Sequence, residues 1–346
     1  MGQILGERDA RVLEAVVEEF VQSAEPVGSR FLTKRHSFGI SPATIRNVMA
    51  DLEELGFLVQ PHTSAGRKPT DKGYRYYVDH LMSSEPVGVP ERRRMRKQIT
   101  AGDAVEVTGI LDAASHTLSA LAHQVGVVIA PRFESSVFRR IDFVSIRGGR
   151  VLVILVSQAG VVHNRLVAAP EIRCQAELDQ MANYLNELLR DVPLHDVKEK
   201  ILTEMATEKS IYDSFMKEAL ELGNSILDEN PITEGVYVAD PSALFGQPEF
   251  SSIEQVRALF EAFEKKGMIL KLLERASEVG GVQISIGDEN SVPNLRTCAV
   301  VSASFGGEGS CRGSVGIIGP TRMDYARAVG LVDYAAQLLS EVMTLR

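Results

Sequence analysis

The chain has 346 residues, 45% hydrophobic and 24% charged, with 46 acidic against 37 basic side chains and a formal net charge of −9. That length exceeds what one core fills, so several domains are expected, and the apolar content leaves no room for extended disorder. The longest apolar runs, at 125–131 and 151–156, are far below the ~20 residues of a membrane span, and charges from Glu7 to Glu19 interrupt any signal-peptide core, so a cytoplasmic protein with no membrane partner is expected.

Within residues 8–21, Val12, Leu13, Val16, Val17, Phe20 and Val21 recur at helical spacing and predict a first amphipathic helix. Glu25-Pro26-Val27-Gly28 breaks it. Ser29 is expected to cap a short second helix that turns Phe31 and Leu32 inward and ends between His36 and Gly39. Ser41-Pro42 supplies an N-cap serine before an N1 proline. Ile45, Val48, Met49, Leu52 and Leu55 then form one apolar stripe, and Gly56 closes a third helix. Residues 57–60 read as a short strand, and the turn-rich stretch 61–69 lets the chain return. Helix, helix, turn, helix, strand and basic turn is the order of a winged helix-turn-helix. Thr70 or Asp71 starts a fourth helix bearing Tyr74, Tyr77, Val78 and Leu81.

Residues 83–90, rich in Ser, Pro and Gly, make the best linker. A basic helix start follows (Arg92, Arg93, Arg94, Arg96, Lys97), a solvated face or an auxiliary phosphate contact. A helix over about 103–124 carries Leu111, Leu118 and Leu121 on its apolar side. Runs at 138–145, 151–157 and 161–168, joined by Gly148-Gly149 and Gln158-Ala159-Gly160, predict an antiparallel meander. Helical patterns cover 175–190 and 194–228. Strands return at 235–239, 282–286, 298–305 and 314–318, interrupted by a helix over 253–279 and closed by another over 325–345. The whole predicts an α+β protein, an antiparallel sheet with flanking helices behind an N-terminal winged helix.

The acidic total conceals a local basic patch. Between Gly28 and Arg75 eight Lys or Arg (30, 34, 35, 46, 67, 68, 72, 75) face four acids (51, 53, 54, 71), a surplus of four, and counterion release depends on charge at the interface, not on the sum over the chain. The third helix separates cleanly into two faces. Its polar side carries Ala43, Thr44, Arg46, Asn47 and Ala50, then Asp51, Glu53 and Glu54. The acids would be repelled by phosphates, so the N-terminal half enters the groove. Arg and Asn pair bidentately with guanine and adenine, and Ala meets a thymine methyl. Candidate DNA-binding residues are therefore Ser41, Ala43, Thr44, Arg46 and Asn47 on the helix with His62, Thr63, Ser64, Arg67 and Lys68 on the wing.

The stretches 41–47 (SPATIRN) and 61–75 (PHTSAGRKPTDKGYR), with 287–290 (GDEN) and 316–325 (GIIGPTRMDY), closely resemble the HrcA family of heat-inducible repressors over nearly the whole chain. The resemblance implies a homodimer that represses chaperone operons by binding an inverted-repeat operator, CIRCE, with the GroEL chaperonin as partner. It also implies a winged helix (1–82), a linker and helix start (83–102), a GAF-like domain (103–134 and 231–346), and a dimerising domain inserted into the latter (135–230).

No enzymatic chemistry is legible. The seven histidines lack metal-ligand spacing, and His116 and His123, seven apart, read as solvated or core-edge residues. The glycine-rich stretch 306–313 lacks the Gly-Lys-Ser of a phosphate loop and reads as a hairpin, with Cys311 an ordinary thiol. Cys174, Cys298 and Cys311, odd in number and far apart, argue against a disulfide framework or a cysteine zinc site. No cofactor is expected. A ligand-gated regulator whose GAF-like domain binds a metabolite, or an enzyme with a DNA-binding appendage, would be the alternatives.

Overall fold

A computed structural model describes residues 4–100, 107–131, 137–158, 162–168, 174–207, 219–224, 235–244, 247–250, 252–278, 280–306 and 312–344. The predicted start of a helix at Asp103, the turn residues Ala159 and Gly160, residues 208–218 and 225–228 of the expected long helix, and Cys311 lie outside that set.

The N-terminal body follows the sequence pattern closely. Helix α1 (Glu7–Ser23) buries Val12, Leu13, Val16, Val17 and Phe20 and ends at Ala24 in the left-handed region. Helix α2 spans Ser29–Arg35, with Gly28 and not Ser29 at its N-cap. Leu32 is fully buried, but Phe31 is 46% exposed and lies beneath the Arg35 guanidinium. Neighbouring helical residues point ~100° apart, and a two-turn helix turns only one of the pair inward. Helix α3 (Pro42–Glu54) starts as expected: Ser41 Oγ accepts the Thr44 N–H at 3.1 Å and Pro42 occupies the first turn. Ile45, Val48, Met49 and Leu52 are buried, Leu55 is half-buried, and Gly56 has φ +77°. Strands β1 (Leu58–Val59) and β2 (Lys68–Pro69) pair antiparallel, and Val27 exchanges both backbone hydrogen bonds with Arg67 at the base of the wing. Thr70 caps α4 (Asp71–His80) by accepting the Gly73 N–H.

After α4 the chain passes through α5 (Val89–Thr100) and α6 (Val107–Ala122) to β3 (Val125–Ile129). Strands β4 (Phe138–Ile146), β5 (Arg150–Ser157) and β6 (Val162–Ala168) form the expected meander, ordered β4-β5-β6. Helices α7 (Gln175–Leu188) and α8 (Leu194–Thr207) and the helical residues 219–224 cover one face of it. Then come β7 (Val236–Ala239), α9 (Ile253–Glu264), α10 (Lys266–Glu278), β8 (Val282–Ile286), β9 (Cys298–Phe305), β10 (Gly313–Pro320) and α11 (Tyr325–Thr344). The single helix expected over 253–279 is two, broken at Lys265, where ψ is 78°. The break lets Leu259 and Phe263 of α9 and Ile269 and Leu273 of α10 share one core.

A second sheet has five strands ordered β7-β3-β10-β9-β8, every pairing antiparallel. The apolar run 125–129, read from the sequence only as too short for a membrane span, is a strand inside this sheet. It is buried throughout, so it lacks the alternation that marks a half-exposed strand. Alternate residues face two cores. Val128, Val301, Ala303, Val315 and Ile317 pack with α6 and α11, whereas Val125, Val127, Val300 and Ile318 pack with α9 and α10. Strands β3 and β7 are hydrogen-bonded neighbours, Ile129 opposite Val236, so the residues between them leave this sheet and return to the adjacent position.

One continuous cluster runs from α1, α3 and α4 into α6, α11 and one face of the five-stranded sheet, while the β4-β5-β6 body keeps its own. Among the described residues no helix is long and apolar enough to cross a membrane.

Candidate nucleic-acid interface

The outer side of the N-terminal body presents the polar face of α3 beside the wing. Ile45, Val48, Met49 and Leu52 anchor the helix inward, leaving Ala43, Arg46 and Asn47 exposed. Neither the Arg46 guanidinium nor the Asn47 amide has a hydrogen-bond or ion-pair partner among the described residues. Ser41 and Thr44 are engaged with each other: the two hydroxyls are 2.9 Å apart and Ser41 caps the helix. Both hold the helix start in shape.

The wing is braced from within. Gln60 donates its side-chain amide to the carbonyls of Thr63 (3.2 Å) and Ala65 (2.8 Å), and the Ala65 N–H reaches the His62 carbonyl at 2.8 Å. His62, Thr63, Ser64 and Lys68 stand exposed around that turn. Arg67 is placed differently. Its Nε donates to Glu53 Oε2 at 2.9 Å with the side chain only 14% exposed, while Glu53 Oε1 accepts the Gln60 N–H. Glu53, counted from sequence among the repelled acids, is thus a clamp between α3 and the wing, and Asp51 and Glu54 are the exposed acids of the helix's far half.

The eight basic residues of the patch divide in the same way. Arg35 lies 3.2 Å from the buried carboxylate of Glu19, which also holds His36 Nε2 at 3.0 Å. Lys72 donates to the Leu55 carbonyl at 2.7 Å, over the Phe57 ring, and so closes the C-terminus of α3. Arg75 turns away from the wing to Glu289. Arg30, Lys34, Arg46 and Lys68 are exposed and unpaired among the described residues. The Glu19 cluster escapes sequence reading because a lone acid on the apolar side of a helix looks like a solvated residue at its margin; only the basic pair at 35 and 36 hints at its partners.

Other sequence candidates do not converge on chemistry. Among the described residues no three His, Cys, Asp or Glu side chains gather to hold a metal. His116 lies 3.9 Å from Asp112 on the exposed side of α6. Burial pushes the Cys298 thiol up to about 12, which leaves it protonated and unreactive near neutrality. Cys174 sits exposed at the N-cap of α7.

Comparison with known proteins places these features. Residues 108–329 match the family model described as the HrcA protein C terminal domain. The chain is 43% identical over 339 residues to the heat-inducible transcription repressor HrcA of Geobacter sulfurreducens, covering 98% of each. It is 40% identical to that of Syntrophobacter fumaroxidans over 98% of this chain and 97% of the relative. It is 37% identical to that of Desulfitobacterium hafniense over 99% of each. A crystal structure of a hypothetical protein shares the fold with a TM-score of 0.65 at 24% identity, over 99% of both chains.

Proposed function

This chain belongs to the HrcA family of heat-inducible transcription repressors, a repressor and not an enzyme, and from that premise we propose how it grips DNA. The N-terminal half of α3 enters the major groove with Arg46 and Asn47 at base edges and Ala43 against a thymine methyl. Lys68, with His62, Thr63 and Ser64, meets the backbone from the wing. Arg67 acts mainly by holding wing and helix together. The observation that carries this reading is the pairing state of the polar side chains: among the described residues Arg46 and Asn47 on α3 and Lys68 on the wing are exposed without an internal partner, whereas Arg67 is held by Glu53.

In this reading two copies bind an inverted-repeat operator of the CIRCE kind, since one winged helix reads one half-site. Residues 135–230 serve as the dimerising insert within a GAF-like domain built from 103–134 and 231–346, behind a winged helix at 1–82 and a junction at 83–102. What supports this choice is the outer face of the β4-β5-β6 sheet. Val144, Leu152 and Leu166 lie opposite one another across its strands and Val156 opposite Val162. Val144, Ile146, Val162 and Leu166 are exposed there, an apolar surface of the kind monomers rarely leave uncovered. The GroEL chaperonin maintains the active fold in the cytoplasm, so that heat-damaged clients, by occupying it, release the operons; multidomain chains with slow-folding intermediates suit such dependence.

The test is fluorescence anisotropy of a labelled inverted-repeat promoter fragment against a scrambled one, with protein refolded with and without chaperonin. Preferential binding of the inverted repeat, greater after chaperonin-assisted refolding, is expected. Equal binding of both fragments would end the reading of the recognition helix. Leu166→Glu should give a monomer that loses the inverted repeat but keeps a single half-site.

A further inference from the structure

The winged helix is fastened to the five-stranded body by contacts that cross in both directions. Tyr74 of α4 and Tyr325 at the start of α11 are fully buried, with ring centroids 5.9 Å apart inside the shared core. On one flank Arg75 reaches out of the winged helix. Its Nε donates to Glu289 Oε1 at 2.9 Å, and its terminal NH2 nitrogen donates to Glu289 Oε2 and to the Ile284 carbonyl. Beside it Asp71 Oδ2 accepts the Asp288 N–H at 3.2 Å. Gly287, at φ +55°, lies so close to Asp71 that a Cβ there would run into the carboxylate. On the other flank Arg322 reaches back into the winged helix: one terminal nitrogen donates to the Val21 carbonyl near the end of α1 at 2.9 Å, and its remaining nitrogens hold Glu249.

The connecting stretch is held down as well. The Glu85 N–H donates to the Ala326 carbonyl, Val87 is buried, and Gly330 leaves α11 bare where the Glu85 carbonyl rests. Gly287, Asp288 and Glu289 of one motif that the DNA face does not use, and Arg322 and Tyr325 of the other, thus build this junction. Exposed ion pairs contribute little to stability. These two arginines are partly shielded, forked, and bonded to backbone carbonyls as well as carboxylates, so they fix orientation as well as attraction.

Resting on the reading of this chain as a dimer on an inverted repeat, we propose that Arg75 and Arg322 are positioning residues for DNA binding, locking the winged helix on the five-stranded body so that the dimer accepts one half-site spacing. Among the described residues the path from the recognition helix to the five-stranded sheet is continuous: α3 packs in the shared core with α4, Tyr74 meets Tyr325, and α11 lies on the sheet whose strands β3 and β7 flank the β4-β5-β6 body in the chain. Two half-sites bound through a rigid path gain avidity only when the path matches their separation. Through a loose path the gain is smaller and nearly indifferent to separation.

The test uses full-length protein with Arg75→Ala, Arg322→Ala and the double variant. Anisotropy is measured on a single half-site, on the operator, and on operators whose spacer is lengthened or shortened by two base pairs, a change that rotates one half-site by roughly 70° relative to the other. The parent should bind the operator well and the altered spacers poorly. The double variant should hold the half-site like the parent, bind the operator about tenfold or more weakly, and lose most of its discrimination between spacers. Thermolysin cleavage before Val87 should accelerate in parallel, a readout independent of DNA. The charge-exchanged pair Arg75→Glu with Glu289→Arg should recover part of the spacing preference where Arg75→Glu alone does not. An unchanged spacing profile in the double variant overturns the proposal. So does a half-site affinity that falls as far as the operator affinity, which would mean that the arginines only support folding of the winged helix. If instead the parent itself fails to prefer the inverted repeat while thermolysin still separates parent from variant, the DNA reading has failed and the lock has not.

Discussion

The outer and inner faces of the winged helix carry the same kinds of residue to opposite ends. On the outer face Arg46 and Lys68 stand free and exposed; on the inner face Arg75 is committed to Glu289 and the Ile284 carbonyl, with Tyr74 buried beside it. Arg67 and Lys68 are adjacent, yet one is spent inside the wing and the other is not. Formal charge in a segment is therefore only an upper bound on the charge offered to a partner. What decides is whether folding has already supplied a carboxylate or a carbonyl.

The sharpest way to break that comparison is to damage the inner face and ask whether the outer one survives. Tyr325→Ala removes a fully buried ring from a core common to both bodies and should cost roughly 3 to 5 kcal/mol. Because the core is continuous between these two bodies, urea unfolding followed by circular dichroism should show the winged helix and the five-stranded body melting together at lower denaturant, whatever the β4-β5-β6 body does with its own core; a separately melting winged helix would show that the two faces are not mechanically joined. On the outer face, Arg46→Ala or Asn47→Ala should cost ~1 to 3 kcal/mol on the operator and little on scrambled DNA, with the melting temperature unchanged. Equal weakening on both DNAs would move these residues from base edges to the backbone.

The neighbours at the wing sharpen it further. Lys68→Ala should weaken all DNA alike and lower the magnitude of the salt slope by about one if it meets one phosphate. Arg67→Ala should instead lower the melting temperature, by an amount consistent with the ~1.5 to 3 kcal/mol of a charge-assisted hydrogen bond at most, and change the salt slope less. If the two variants exchanged behaviours, the distinction between spent and free charge would be lost at the place where sequence makes it hardest to see. Tyr74→Phe is a subtler probe. The hydroxyl is buried without a hydrogen-bond partner among the described residues, so removing it should leave stability unchanged or raise it by up to ~1 kcal/mol.

Where a pattern is set locally, the sequence was a good guide. Ser41-Pro42 and the stripe from Ile45 to Leu52 specify α3 because capping and amphipathic spacing act within a few residues, and the exposure of Arg46 and Asn47 follows from the same geometry. What escaped depends on distant partners. Glu19 meets Arg35 and His36, Glu53 meets Arg67, and Arg75 meets Glu289; nothing in their spacing announces these pairs. Strand β3 was missed because a strand buried on both faces has no period to detect. Phe31 was turned the wrong way because two adjacent apolar residues on a short helix compete for one inward position. The Ser-Pro-Gly composition of 83–90 indicated irregular chain, but not that Glu85 and Val87 would be fastened to α11.

The smallest expected effect lies at the junction itself and depends on pH. Burial, and then the charges of Asp288 and Glu289, raise the Asp71 carboxyl above its ordinary value, although the Asp288 N–H works the other way. A carboxyl raised on folding binds its proton more tightly in the folded state. Its favourable contribution is complete below the ordinary carboxylate range near ~3.9 and is lost as pH rises through the raised value. At neutral pH the charge on Asp71 thus opposes the junction that Arg75 and Arg322 hold together. Asp71→Asn keeps an oxygen to accept the Asp288 N–H and removes the charge, at the loss of a favourable acid in the first turn of α4. The variant should melt at or slightly above the parent at neutral pH, and the difference should shrink as pH falls toward the ordinary carboxylate range. A difference that did not change with pH would mean that the packing of the side chain, and not its ionisation, is what Asp71 contributes.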